Sequence, residues 1–254
     1  MVGCLNGAQK TENSRCPTRR PGPSAICSTP PALMVRTLHA EILDTLPAES
    51  ADAIASRRDL VLINRLMGNR RWMGRALHVH ATDDKRVLEL GAGAGDFGRW
   101  WQEQQRRRLA ESREVCGLDL APRPACWPES WLWAQQDLLS FVGYGGFDVV
   151  IANLTLHHFA ADALARLGQK LRSGPRVVLA SEPTRRRLHL WQVHLLRLFG
   201  INHVTRHDAP VSVRAGFRGF ELPEALGLSG PDWKTTVNET WLGAYRMTAV
   251  RNAP

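Results

Sequence analysis

Arg86-Val-Leu-Glu-Leu-Gly-Ala-Gly-Ala-Gly-Asp96 is the stretch of sequence that determines the fold of this chain. It opens with a short apolar run that carries one acid, Glu89, and such a run predicts a buried strand. Three alternating glycines follow, and an amphipathic stretch begins at about Asp96. A strand, a glycine turn and a helix in this order let a ligand reach backbone N–H groups at the helix N-terminus. The sequence therefore predicts an α/β domain with a ligand site at this turn.

The spacing of the glycines separates two classes of ligand. A dinucleotide-binding turn, G-x-G-x-x-G, would place glycine at position 96, where this chain has Asp96. The pattern found here resembles motif I of the class I S-adenosylmethionine-dependent methyltransferases. That resemblance implies an S-adenosylmethionine cofactor held by Glu89, Gly91, Ala92, Gly93 and Gly95. Taken alone, the motif also fits a glycine-rich turn of some other doubly wound protein.

Strands and helices alternate after this turn. Strands are predicted at 86–90, 114–120, 131–135, 147–153 and 175–181, and helices at about 96–110 and from about 160. This alternation is typical of a parallel, doubly wound sheet. Two further strand-like segments, 234–241 and 244–251, are separated by a turn at Gly243. The predicted fold class is α/β, with a Rossmann-like sheet of seven strands that is mostly parallel and has an antiparallel C-terminal strand.

Polar residues stand at the ends of three successive predicted strands. Asp119 ends the second, where a carboxylate can accept hydrogen bonds from both ribose hydroxyls. Asp137 follows the third strand and Asn153 ends the fourth. A helix cap or a surface acid would explain any one of them, but three together indicate one site. The resemblance assigns Asp137 and the Leu138 N–H to adenine, Asn153 to the amino-acid moiety, and Asp119 with the adjacent Leu120 to the cofactor pocket.

The loop after the fourth strand, residues 153–159, reads N-L-T-L-H-H-F. It resembles the LHH loop of small-molecule methyltransferases, nearest to the ubiquinone/menaquinone-biosynthesis-like enzymes, and the resemblance covers residues 86 to about 183. Amino-group methyltransferases that act on DNA or glutamine carry an Asn/Asp-Pro-Pro-aromatic motif here, which this chain lacks. Cytosine-C5 RNA enzymes need a Pro-Cys nucleophile near this loop, and no cysteine follows Cys126.

Histidines near this loop are the candidate catalytic groups. Methyl transfer from a sulfonium is an in-line displacement, so positioning supplies much of the acceleration. A phenol or an activated ring carbon must also lose a proton, and histidine suits that task. We expect one of His157 and His158 to face the substrate and the other to pack. His207 with Asp208 is a second candidate base with its orienting acid, unless Asp208 only caps a helix. Glu182 is either a site acid or a cap.

The chain divides into four predicted regions. Residues 1–33 are rich in proline and lack a hydrophobic period, which predicts a disordered leader, with Met34 as an alternative start. Residues 34–80 are predicted to be helical, with a short helix before Pro47, and to form either a lid over the site or a surface layer. Residues 85–183 are the predicted cofactor-binding half. Residues 184–254 are the predicted substrate-side half, with a helical insertion after strand five that covers the site.

The composition favours some partners over others. The formal charge is +9, which can indicate a nucleic-acid partner, but the arginines are scattered rather than interleaved with aromatic residues. No apolar run approaches the length of a membrane-spanning helix. The five cysteines form no CxxC pair and no metal-ligand spacing, and the odd count without a secretory signal favours the cytoplasm. We therefore predict no metal, no membrane span and no nucleic-acid partner.

The predicted activity is methyl transfer from S-adenosylmethionine to oxygen or carbon of a small acceptor, aromatic, phenolic or lipid-like. The positive charge leaves an RNA or protein methyltransferase as one alternative. A non-catalytic, methyltransferase-like binding protein is the other, although the motif residues argue against it.

Overall fold

Seven strands form one sheet, and their ranges are β1 Val87–Leu90, β2 Val115–Asp119, β3 Trp133–Gln135, β4 Val149–Asn153, β5 Val177–Pro183, β6 Trp233–Glu239 and β7 Ala244–Arg251. Their order is β3-β2-β1-β4-β5-β7-β6. Strands β1 to β5 pair in parallel, and β7 is antiparallel to both β5 and β6. The predicted fold class is confirmed. The structure is a computed structural model that describes residues 34–81, 86–107 and 114–253, so the predicted leader lies outside the described residues.

Helices cover both faces of the sheet. Within the described residues they are α1 Ala51–Met67, α2 Asn69–His80, α3 Asp96–Arg107, α4 Ala161–Ser173, α5 Arg187–Leu195, α6 His203–Ala215 and α7 Glu221–Leu226. Short 3₁₀ turns lie at Leu43–Thr45, Gly143–Gly146, Leu156–His158 and Leu196–Phe199. In that part of the chain, no helix combines the length and the hydrophobicity needed to cross a bilayer.

Alternating strand residues supply two separate cores. Val149 and Ile151 of β4 pack with Met73 and Leu77 of α2, on the face that also carries α3. Val150, between them in sequence, packs on the opposite face, where α4 and α7 lie. Successive side chains of a strand point to opposite faces, so a central strand with both faces covered is apolar throughout. The continuous apolar run in the sequence of β4 is explained by the burial of this strand on both faces of the sheet.

The prediction of a short helix before Pro47 is wrong. Residues 34–41 form no regular element, and among the described residues before Pro47 helical structure is limited to the 3₁₀ turn at Leu43–Thr45. Long-range contacts hold this roof segment (residues 34–46) instead. The Arg36 guanidinium donates to the carbonyls of Ala215, His157 and Phe159 at 2.7, 3.0 and 2.9 Å. The Thr37 N–H also donates to the Arg214 carbonyl, at 3.2 Å. Because such tertiary contacts hold this segment, helix propensity does not decide its conformation.

A glycine divides the long helix that follows. Gly68 ends α1 with φ +70° and a left-handed conformation, and α2 begins at Asn69. Glycine adopts that conformation without steric cost, which makes it a common helix terminator. The break turns the chain so that Met73 and Leu77 of α2 lie buried against the sheet.

Candidate active site

The glycine turn (residues 91–95) connects β1 to α3. Gly91, Gly93 and Gly95 have φ of +60°, +54° and +73°, in the left-handed region that favours glycine. A Cβ on Gly91 would lie 2.4 Å from the Thr155 side chain, so that position has no room for a larger residue. A Cβ on Gly93 would meet only the Gly91 carbonyl, at 3.9 Å, so Gly93 faces open space. The turn is therefore packed against the protein on one side and open to a ligand on the other.

Asp119 fixes the turn from the end of β2. Its Oδ2 accepts the Gly93 N–H at 2.8 Å, and its Oδ1 accepts the Ala121 N–H at 2.8 Å. A carboxylate has about four acceptor positions, so Asp119 keeps capacity for a second set of donors such as ribose hydroxyls. The next residue, Leu120, is exposed.

Glu89 is buried beneath the turn. Its Oε2 has no hydrogen-bond partner. Burial raises the pKa of the Glu89 carboxyl well above its usual range, and the charges of Asp96 and Asp119 raise it further. The positive charge of Arg70 acts in the opposite direction on that pKa. A cationic ligand group beside Glu89 would satisfy both the charge and the unpaired oxygen.

Arg70 reaches the same region from α2. Its Nε and Nη2 are buried without hydrogen-bond partners, and Nη2 lies 3.9 Å from Asp96 Oδ1. Burial lowers the pKa of the Arg70 guanidinium from its ordinary value. Sequence reasoning did not identify Arg70 as a site residue. The only signal was the concentration of arginines and amides around Gly68, whose backbone break brings Arg70 to the turn.

Asn153 lies at the end of β4, next to β1. Its neighbour Ala152 pairs with Leu90, so Asn153 stands level with Gly91. The Asn153 Oδ1 is buried and has no hydrogen-bond partner. Glu89, Arg70 and Asn153 thus surround the turn with unsatisfied polar atoms of both signs. The group that would satisfy them is one that carries both an amine and a carboxylate.

Asp137 holds the loop after β3. Its Oδ1 accepts the N–H groups of Leu139 and Ser140 at 2.6 and 3.1 Å. Leu138 is buried, and its carbonyl accepts the Tyr144 hydroxyl at 2.9 Å. Gln136 N–H donates to the Asp119 carbonyl at 2.9 Å, which ties this loop to β2. Asp137 therefore has a capping role of its own, beside the adenine contact that the resemblance implies.

The LHH loop is held by Glu182, at the end of β5. Glu182 is fully buried, and its Oε1 accepts the N–H groups of Thr155 and Leu156 at 3.1 and 2.9 Å. The Thr155 hydroxyl donates to the Leu90 carbonyl at 3.2 Å. The preceding residue, Leu154, has φ +56°, a strained conformation for a residue with a side chain. The loop is consequently clamped between the glycine turn and β5.

His157 is buried between two carboxylates. Its Nδ1 lies 2.7 Å from Glu182 Oε2, and its Nε2 lies 3.6 Å from Glu41 Oε1. Burial lowers the pKa of His157, but the hydrogen bond to Glu182 and the negative charges of Glu182 and Glu41 outweigh it and raise the pKa to about 9. Glu41 also accepts a hydrogen bond from the Ser212 hydroxyl. His157 is the packed member of the pair.

His158 borders an open cavity. Its side chain is 35% exposed, and its Nδ1 lies 3.6 Å from Asp44 Oδ2. Burial and the charge of His157 lower the pKa of His158. This cavity has a volume of about 250 Å³ and is lined by Leu38, His39, Ala40, Glu41, Asp44, His157, His158 and Ala215. Sequence reasoning missed Glu41 and Asp44, because they lie in the roof segment and no local motif marks them.

His207 and Asp208 do not line this cavity. Asp208 is buried and accepts the N–H groups of Ile42 and Leu43 at 2.9 and 3.0 Å. His207 is exposed, with its Nδ1 2.8 Å from Asp208 Oδ1. The pair fixes the roof segment to α6. It has the arrangement of a capping acid beside an exposed histidine, the second of the two interpretations of this sequence.

Solved structures with a similar fold were found for this chain. No protein-family model matches this chain, and no curated protein matches it. The plantazolicin methyltransferase BpumL, solved in complex with SAH, matches 83% of this chain and 93% of its own, with a TM-score of 0.62 and 10% identity. The fold is that of these methyltransferases. BamL, solved with SAH and a triazolic desmethylPZN analog, matches the same shares with a TM-score of 0.62 and 8% identity.

A structure reported under "Conversion of a Disulfide Bond into a Thioacetal Group during Echinomycin Biosynthesis" also matches. It covers 71% of this chain and 80% of its own, with a TM-score of 0.51 and 18% identity. The shared fold places β1 and the glycine turn at the centre of the sheet, where open α/β sheets bind ligands.

Proposed function

We propose that this protein is an S-adenosylmethionine-dependent methyltransferase that acts on oxygen or carbon of a small acceptor. The observation that carries the proposal is the set of unpaired, buried polar atoms around the glycine turn. Among the described residues, Glu89 Oε2, Asn153 Oδ1 and the Nε and Nη2 atoms of Arg70 find no hydrogen-bond partner there. The amino-acid end of S-adenosylmethionine supplies an ammonium for Glu89 and Asn153 and a carboxylate for Arg70. The SAH complexes of BpumL and BamL support this assignment.

The nucleoside end of the cofactor would occupy the ends of β2 and β3. Asp119 has acceptor capacity left beyond its two backbone contacts, and we assign it to the ribose hydroxyls. Asp137 and the Leu138 N–H are assigned to adenine, with Leu120 beside the ribose. S-adenosylmethionine supplies an electrophilic methyl group on a sulfonium. Asp119, Glu89 and Arg70 would fix the orientation of that group, and orientation accounts for much of the acceleration of a displacement reaction.

The cavity beside His157 and His158, called the acceptor cavity from here on, is assigned to the methyl acceptor. Thr155 contacts the Leu90 carbonyl while His157 and His158 follow it in the same loop, so the cavity wall and the glycine turn are joined directly. A cavity of about 250 Å³ accommodates one substituted ring, since roughly 150 Å³ is enough for benzene. His158 and Asp44 form its polar wall, where an acceptor hydroxyl would bind and release its proton. We infer that residues 34–80, which carry Arg70 and the cavity roof, cover both ligands.

The charges around the cavity favour a small acceptor over RNA. Glu41 and Asp44 line the cavity and Glu182 lies directly behind His157. Carboxylates in and behind a cavity disfavour a phosphate backbone, whereas nucleic-acid sites concentrate arginine and lysine. An acidic patch suits a neutral or weakly acidic hydroxylated ring. Salt-sensitive RNA binding by the purified protein would contradict this choice.

Calorimetric titration with S-adenosylmethionine and with S-adenosylhomocysteine tests the proposal. We expect micromolar binding of both by the intact chain, and its loss in Asp119→Ala. Asp119→Asn is the matched variant, since it keeps the size of the side chain but weakens its hydrogen bonds to hydroxyls. Binding would then justify a screen of phenols and quinols for methyl transfer. Folded protein that binds neither compound would refute the enzyme assignment and leave a binding protein with this fold.

A further inference from the structure

Three potential metal ligands meet in the acceptor cavity. The donor atoms of Glu41, His157 and His158 all lie within 4.8 Å of one another. His157 Nε2 and Glu41 Oε1 are 3.6 Å apart, which is too long for a direct hydrogen bond. Two donors that share one first-row metal ion, at about 2.1 Å each, are separated by about 3.0 to 3.6 Å. The gap between these two side chains is thus the size of a bridging ion.

The orientation of His157 matches that of a metal-binding imidazole. Its Nδ1 lies 2.7 Å from Glu182 Oε2, so Nδ1 carries the proton that it donates to this carboxylate and Nε2 points away, towards Glu41. Histidine ligands in metalloproteins almost always donate their other ring N–H to a carboxylate or carbonyl in this way. Glu182 is itself fixed by the N–H groups of Thr155 and Leu156. The ring therefore has little freedom to rotate.

The three groups also have access to a ligand. Glu41 and His157 are buried, whereas His158 and Asp44 are open to the cavity of about 250 Å³. A metal held by three protein donors keeps positions for water or substrate. The sequence predicts no metal because Glu41 lies in the roof segment, far along the chain from the two histidines. Only the folded roof brings the carboxylate to them.

We propose that Glu41, His157 and His158 bind one divalent transition-metal ion, to which the oxygen of the methyl acceptor binds. Two imidazoles and one carboxylate suit Zn²⁺, Mn²⁺ or Fe²⁺, whereas Ca²⁺ and Mg²⁺ prefer oxygen donors and Cu⁺ prefers sulfur. Ion binding requires only the residues named here. The role of the ion toward the acceptor rests on the proposed function.

The ion would assist the deprotonation of the acceptor that precedes methyl transfer. The acceptor O–H loses its proton to Asp44, and a positive ion beside the oxygen makes that loss easier. The freed oxygen electron pair forms the new O–CH₃ bond. The C–S bond of S-adenosylmethionine breaks, and its electron pair stays on the sulfur of S-adenosylhomocysteine. No oxidant or reductant is needed.

Titration of the full-length, chelator-treated protein with Co²⁺ tests the site, because bound Co²⁺ has a visible spectrum. We expect saturation at one ion per chain and displacement by Zn²⁺. Glu41→Gln and His158→Ala should each weaken Co²⁺ binding by about tenfold or more. His203→Ala, which removes an exposed histidine of α6, is the control and should bind Co²⁺ as the parent chain does. Equal affinity in all three variants, or no saturable spectrum in the parent, would overturn the proposal.

Two further measurements separate this proposal from the proposed function. Saturating Zn²⁺ should raise the Tm of the parent chain, and an unchanged Tm would overturn the metal site without any variant. S-adenosylmethionine titration of the same samples reports on the cofactor site alone, which Glu41→Gln should leave intact. Metal binding without cofactor binding would refute only the methyltransferase assignment. Methyl transfer at an unchanged rate in chelator would refute only the role of the ion toward the acceptor.

Discussion

The two sides of the candidate site differ in how their buried polar groups are satisfied. Around the glycine turn, Glu89, Arg70 and Asn153 have buried atoms without hydrogen-bond partners. Around the acceptor cavity, Glu182 accepts three backbone N–H groups and holds His157. An unpaired buried polar group costs about 1–3 kcal/mol. The unpaired groups of the cofactor side therefore lower the stability of the protein until a ligand binds. The groups of the acceptor side are already satisfied by hydrogen bonds within the protein.

This comparison predicts opposite responses to mutation. Changes among the unpaired groups of the cofactor side should weaken ligand binding while sparing or raising stability. Changes in the paired network of the acceptor side should lower stability while sparing cofactor binding. A change in the glycine turn itself, which is packed against the LHH loop, should lower both stability and cofactor binding. The four variants below test this pattern in order of decreasing effect.

Gly91→Ala should have the largest effect. The new Cβ would lie 2.4 Å from Thr155 in a backbone with φ +60°. Steric overlap and left-handed strain together should lower the free energy of unfolding by roughly 3–5 kcal/mol, and S-adenosylmethionine binding should be lost. Gly145→Ala is the control, because its Cβ would meet nothing within 4 Å. Urea unfolding measures both, and a Gly91→Ala protein as stable as the control would contradict the packing described.

Glu182→Gln tests the acceptor side. Glutamine has a similar shape but lacks the charge that holds His157 at 2.7 Å and accepts the loop N–H groups. We expect a loss of about 2–3 kcal/mol in stability at pH 7. The affinity for S-adenosylmethionine should change by less than about threefold, because Glu182 is not among the groups assigned to the cofactor. A change of that size is well below the 1.4 kcal/mol that corresponds to a factor of ten. A large loss of affinity with unchanged stability would reverse the comparison between the two sides.

Arg70→Ala tests the cofactor side. Removal of the guanidinium should weaken S-adenosylmethionine binding by about thirtyfold, equivalent to roughly 2 kcal/mol, because a charge-assisted contact to the cofactor carboxylate is lost. The stability of the ligand-free protein should hardly change, since the Nε and Nη2 atoms of Arg70 have no hydrogen-bond partner to lose. Arg71→Ala, at an exposed neighbouring position, is the matched control. Equal affinities in the two calorimetric titrations would exclude Arg70 from the cofactor site.

Glu89→Gln should raise stability by a small amount. The pKa of Glu89 is raised well above its ordinary 4.5 in the folded protein, so folded Glu89 holds its proton more tightly than unfolded Glu89. The contribution of Glu89 to stability is therefore most favourable below pH 4.5 and declines as the pH rises towards the folded pKa. Glutamine removes that decline, so Glu89→Gln should raise the free energy of unfolding at pH 8 and leave it nearly unchanged at pH 4. Urea unfolding at the two pH values checks this, and an equal gain at both would contradict a charged origin.

Local motifs explain why the elements of the proposed cofactor side could be predicted from the sequence. The strand, the glycine turn and Glu89 are contiguous, and Asp119 and Asn153 end strands whose apolar runs are readily recognised. The order of the sheet then follows from the resemblance, and the neighbouring structures have the same fold. Arg70 was not predicted, because its position depends on the break between two helices at Gly68.

The acceptor side could not be predicted in the same way. Glu41 and Asp44 reach the two histidines from the roof segment, whose regular structure is limited to the 3₁₀ turn at Leu43–Thr45 where the sequence predicts a longer helix. The interaction that overrides helix propensity comes from Arg36, which donates to Ala215, 179 positions away. The residue types of His207 and Asp208 suggested a catalytic base with its orienting acid. In the folded protein Asp208 instead accepts the Ile42 and Leu43 N–H groups and holds the roof segment against α6. A histidine next to an aspartate in the sequence does not reveal whether the two side chains face a ligand site or another part of the protein.

The contacts of the roof segment also fix an order of events during synthesis. Arg36 and the Ile42 and Leu43 N–H groups are translated early, but their partners in Ala215 and Asp208 are translated late. A chain emerging from the ribosome at about 5–20 residues per second exposes the roof for some seconds before α6 exists. The glycine turn, by contrast, has its strand neighbours once β4 has emerged. The nascent protein would thus be able to hold its cofactor before it has an acceptor cavity.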